Sequence, residues 1–217
     1  MMKSIQSWIP SDRNVQTVMF AGVLVLAVVA LGSGFMWYRW QREQAASHAF
    51  VQALSKFEQA TSEQSQQAWD EAEKAFAYGY DDYASSSMAG YFLAYVADIM
   101  YQQGKHDEAC HKLEQAVDYM PRGNTLYYSY ALRLALMQRD STDTKLQERG
   151  EKLIEQLKDD TANSLRDMAL YYDGLHYFNQ LDRTAAWTAW QPLLDPNTFD
   201  QNSAWASRAH AKLAYYE

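Results

Sequence analysis

A single cysteine, Cys110, is all the thiol this chain of 217 residues carries, so it can build neither an intramolecular disulfide framework nor a cysteine-rich zinc site. With 4 Pro and 9 Gly, it is too poor in both for collagen-like or linker-dominated architecture. Lys and Arg are outnumbered by Asp and Glu, 19 to 27, and the net charge of −8 argues against a broad basic surface for nucleic acid. There is no phosphate-binding loop, dinucleotide fingerprint or zincin helix motif. No run of strict apolar–polar alternation marks a strand. What is abundant is apolar and aromatic: 48% hydrophobic residues with 16 Tyr and 7 Trp, a composition that folds rather than stays disordered.

No charge lies between Arg13 and Arg39. Residues 18–38 form a continuous apolar core, about 31 Å long as a helix, which is enough to cross a bilayer. Trp37, Tyr38 and Trp40 at its end suit the headgroup layer, and Arg39 and Arg42 can snorkel to it. The expected organisation is a short tail (1–16), a transmembrane signal-anchor helix (17–40) and a helical domain (41–217). A cleaved signal peptide is the competing reading, with Ala30-Leu31-Gly32 as the small-residue site. Against it, Phe35, Met36, Trp37 and Tyr38 carry the apolar run past that point. Gly22, Gly32 and Gly34 are ordinary for membrane helices. Flanking charges are nearly balanced, so orientation rests on the short tail, which favours a cytoplasmic N-terminus and an exported domain.

Beyond residue 41 the chain is acidic, 26 Asp and Glu against 16 Lys and Arg. Its periodicity is helical, with breaks expected at 79–86, 104–105, 121–124, 138–143, 159–163, 180–182 and 195–202. Regular helix–turn–helix spacing predicts an all-α array: a tetratricopeptide (TPR)-like α-solenoid of about four helix pairs with a C-terminal capping helix at 203–216. The clearest unit spans about 90–121. There Ala97 and Ala109 are 12 apart, Ala116 follows 7 later, Leu113 completes the stripe and Pro121 closes the unit. Ala131 lies 34 residues after Ala97, the TPR period, with an insertion of about seven residues expected at 139–145 and Gly150, Ile154 and Leu157 as the displaced stripe. A further unit, 167–196, pairs Gly174 with Ala186 and carries Tyr177 and Trp190. The units at 41–79 (Ala72, Phe76) and 124–159 are degenerate.

Catalytic chemistry is not expected, nor a cofactor or a small-molecule substrate. His106 and His111, five apart, point to different helix faces, which disfavours metal binding. Glu108 and Lys112 form an ordinary i,i+4 pair, and Cys110 next to Ala109 reads as packing. The array's first helices instead predict an inward face: Tyr91, Asp98 and Tyr101, then Tyr128 and Leu132, then Tyr171, Leu175 and Phe178. Such an aromatic lining with few fixed charges suits extended polypeptide.

The layout of a short tail, a span ending Trp37-Tyr38-Arg39-Trp40 and an acidic TPR-like domain opening Ala45-Ala46-Ser47-His48-Ala49-Phe50 resembles the YfgM-like family of membrane-anchored TPR-like proteins. The resemblance covers most of the chain but rests on layout and generic TPR positions, with no diagnostic functional residue. It implies a non-enzymatic scaffold of the bacterial inner membrane with its domain in the periplasm. The implied partners are translocon subunits, chaperones or exported polypeptide. Two other functions fit the same sequence: a structural or assembly subunit of another envelope complex, and a cytoplasm-facing TPR adaptor.

Overall fold

A computed structural model describes residues 13–195 and 203–214, the first six by backbone alone. The described residues are all-helical, in nine helices without strands: α1 (Arg13–Glu63), α2 (Gln66–Tyr83), α3 (Ala89–Gln102), α4 (His106–Tyr119), α5 (Thr125–Arg139), α6 (Thr144–Asp159), α7 (Arg166–Asn179), α8 (Arg183–Leu194) and α9 (Ala204–Ala214). Residues 1–12 of the expected tail, Pro196 and the end of the expected capping helix lie outside the described residues.

The chain divides into two compact units, residues 1–48 and 49–217. The first contains the apolar stretch of α1, and the window that meets the requirements for a membrane span has a mean hydropathy of 2.3 and no buried residue. Gly22, Gly32 and Gly34 have open space where a side chain would stand. This is the one described helix long and apolar enough to cross a bilayer.

In the second unit consecutive helices pack on one another in chain order, with α3 on α4, α5 on α6 and α7 on α8, and α9 covering α7 and α8. Capping follows the local sequence. Ser65, Asn124, Asp143 and Asp182 each precede a helix and accept a backbone N–H from its first turn. Gly104 takes φ +78 to end α3, a left-handed conformation that suits glycine. Three apolar clusters result: Ala53, Ala60, Ala72, Phe76 and Phe92 near the start, Leu93, Leu113, Leu132 and Leu157 in the middle, and Leu170, Tyr171, Ala186, Trp190 and Ala209 at the end.

Buried Ala72 and Phe76 recur 37 residues later as Ala109 and Leu113. Ala109, Leu113 and Ala116 recur 41 residues on as Gly150, Ile154 and Leu157, and these recur 36 residues further as Ala186, Trp190 and Leu193. The longest step, seven residues more than a 34-residue period, spans 139–145, which are the last residue of α5, the connection 140–143 and the first two residues of α6. The expected break at 79 is corrected. Gly79 is buried inside α2, where a Cβ would stand 2.1 Å from the Phe92 ring, so glycine serves a close helix approach.

Candidate protein-binding face

The eight residues expected on one inward face separate into three groups. Tyr91 and Asp98 on α3 are half-buried and Tyr101 is 41% exposed, so this helix presents surface at the expected positions. Tyr128 and Leu132 on α5 and Tyr171 on α7 are a correction, since all three are buried. Tyr128 lies inside the middle cluster and donates its hydroxyl to Asp160 at 2.8 Å. Tyr171 stacks on Trp190 in the terminal cluster and accepts the indole N–H on its carbonyl at 2.9 Å. Leu175 and Phe178 are half-buried against that same cluster, and Lys212 from α9 lies over the Phe178 ring at 5.0 Å. The physical reason is that each sits on the packed side of its helix, Tyr128 and Leu132 in the middle cluster and Tyr171 in the terminal one.

The side chains that do adjoin Tyr91 and Asp98 come from α5. The rings of Tyr91 and Tyr130 meet edge to face at 6.4 Å, and Arg133 forms an ion pair with the Asp98 carboxylate. Tyr95 stacks on Phe76 beneath this strip, with its centroid 4.8 Å away. Burial pushes the Asp98 carboxyl above its ordinary value even though Arg133 pulls the other way. Burial, with the Asp98 charge adding to it, pushes the Tyr130 phenol up to about 12. Tyr130 therefore stays a neutral hydrogen-bonding ring at physiological pH. Sequence reasoning missed Tyr130 and Arg133. Their signal was Tyr127 and Tyr130 three apart on α5, the same helix side as Arg133 a further three along.

Continuing along α3, a cavity of about 380 Å³ opens where Tyr101, His106 and Cys110 face Arg133, Met137 and Asp140. His106 sits edge-on against Tyr101 at 4.7 Å. His111 is exposed on the other side of α4 near Glu114, so the two histidines do not converge. Burial pushes the Cys110 thiol up to about 11, with Glu114 and Asp107 adding to the effect, which leaves almost no thiolate at neutral pH and makes it a poor nucleophile. Among the described residues no three His, Cys, Asp or Glu side chains gather to hold a metal. What this strip can do chemically is contact: aromatic edges, one ion pair and a shallow apolar pocket. No protein-family model matches the chain, and no curated protein or solved structure matches it either.

Proposed function

We propose that this chain is a membrane-anchored, TPR-like scaffold that binds polypeptide or protein partners at the bacterial envelope, linking the export translocon to periplasmic chaperones. The observation that carries this reading is the α3–α5 strip, where Tyr91, Tyr95 and Tyr130 surround the Asp98–Arg133 pair on stacked helix pairs. Stacked pairs with a recurring buried stripe support a solenoid, whose repeats need one another to bury their apolar faces. The steps of 37, 41 and 36 residues exceed the usual 34 and lengthen each repeat without breaking its stripe. Aromatic rings of low rotamer entropy give large contact area to an extended segment. The apolar stretch of α1 supports anchoring in a membrane.

The test is extraction of membranes in mild detergent, capture of the full chain and identification of what is enriched with it. Translocon subunits or periplasmic chaperones are the expected companions, and recovery of the chain alone contradicts the proposal. Protease added to intact spheroplasts should digest the C-terminal domain. Protection until the membrane is lysed would turn the reading into a cytoplasmic adaptor.

A further inference from the structure

The buried polar residues of the described chain are Gln138 and Arg139 near the end of α5, Asn163 between α6 and α7, and Asp173 on α7. Two other junctions have apolar centres, Phe76 with Phe92 and Val96 between α2 and α3, and Leu113 and Val117 with Ala131 and Leu134 between α4 and α5, while the Asp98–Arg133 pair joins α3 to α5 with Arg133 partly in solvent. At the α7 junction the centre is a carboxylate. Asp173, 3% exposed, accepts from Arg139 Nη1 at 3.0 Å and from Lys158 Nζ. Arg139 also donates through Nε to Glu151 at 2.9 Å, and Lys158 to Glu155 at 2.7 Å. Tyr177 lies under the Arg139 guanidinium at 5.7 Å. Arg139 Nη2 is buried and has no hydrogen-bond partner among the described residues, so the network is incompletely satisfied there.

Burying charge is expensive, and mutual attraction repays the cost only where geometry and hydrogen bonding are complete. A junction built this way contributes less net stability than an apolar one of similar size, yet it demands one exact alignment. Beyond it, α7, α8 and α9 have their own core around Trp190, with Leu170, Tyr171, Ala186, Leu193 and Ala209. An independent core on one side of a costly polar junction is what defines a separately opening block.

We infer that the Asp173-centred charge cluster is a built-in hinge, at which α7–α9 detaches and re-docks as one block while the α3–α5 strip stays folded. Opening returns Arg139, Lys158 and Asp173 to water, which lowers the cost of separation, whereas an apolar junction would gain nothing by it. Ala169 and Met168 of α7 pack in the middle cluster beside Leu157, and Tyr172 packs on both the middle and terminal clusters; these supply the apolar part of the latch.

Hydrogen exchange read by mass spectrometry on the full chain in detergent micelles tests the hinge. In the wild type, core amides of α7, α8 and α9 should exchange together, about tenfold or more faster than those of α3 and α4. Asp173→Asn leaves buried Arg139 and half-buried Lys158 without the anion they share. It should speed exchange of the α7–α9 block on the order of a hundredfold and leave α3 and α4 unchanged. The triple variant Arg139→Met, Lys158→Met, Asp173→Leu replaces the cluster with apolar side chains and should slow that block towards the α3–α4 rate. If Asp173→Asn fails to fold, the wild-type comparison and the triple variant decide the matter. Equal wild-type rates in the two regions, acceleration of both sets alike by Asp173→Asn, or a triple variant that leaves the block as fast as before would each overturn the hinge.

Discussion

Arg133 on α5 reaches back across a helix junction to the carboxylate of Asp98 on α3, and it is the charge that makes a largely buried Asp98 tolerable. Burial raises this carboxyl above its ordinary value, so ionising Asp98 opposes folding: its contribution is most favourable at low pH and is lost as pH rises through the folded pKa. Arg133→Ala removes the compensating charge. Asp98 should then titrate higher still, and the variant should lose about 1–2 kcal/mol at pH 7 and much less at pH 4, the exposed half of Arg133 limiting the effect. Adding Asp98→Asn to Arg133→Ala should recover most of the loss. Denaturant unfolding at the two pH values checks this, and equal losses at both would refute the assignment.

Gly174 lies against the Trp190 indole so closely that a Cβ would stand 2.3 Å from its Nε1. Gly174→Ala should push the ring from its hydrogen bond to Tyr171 O and cost about 2–3 kcal/mol. Gly34→Ala, with nothing within 4 Å, should leave domain stability unchanged. Near-ultraviolet circular dichroism and thermal unfolding of the two variants make the comparison.

The turn after α7 places Leu181 at φ 65, where the turn after α3 has Gly104 at φ 78. Both turns close with a backbone hydrogen bond to the residue five before, Lys105 to Met100 and Asp182 to Tyr177. Leucine there is 78% exposed and gains little from packing. Leu181→Gly should therefore stabilise the protein by about 0.5–1 kcal/mol, the left-handed strain relieved outweighing the entropy glycine costs. A lower melting temperature would show instead that the side chain holds the terminal block.

Helix content, most connections and the apolar span were legible in the sequence because local periodicity and cap residues write them directly. Tyr91, Asp98 and Tyr101 were placed on a surface strip for the same reason, being set by the clear Ala97–Ala109 pairing. Tyr128, Leu132 and Tyr171 were not, because periodicity marks a helix side without telling which neighbouring helix covers it, and the middle and terminal clusters close over these three. The charge cluster was hidden for another reason. Asp173 lies beside Leu170 and Gly174 in an apolar stripe, a placement that flags it, but its partners Arg139 and Lys158 come from two other helices and share no local motif with it.

The central claim is that the α3–α5 strip touches polypeptide in the membrane-bound protein. A photo-reactive phenylalanine analogue at Tyr91 or Tyr130, and separately at Tyr78, an exposed position on α2, puts it to the test in intact cells. Discrete protein adducts from 91 and 130, with none from 78, are what the account predicts. Adducts from 78 alone, or none at 91 and 130, would contradict it.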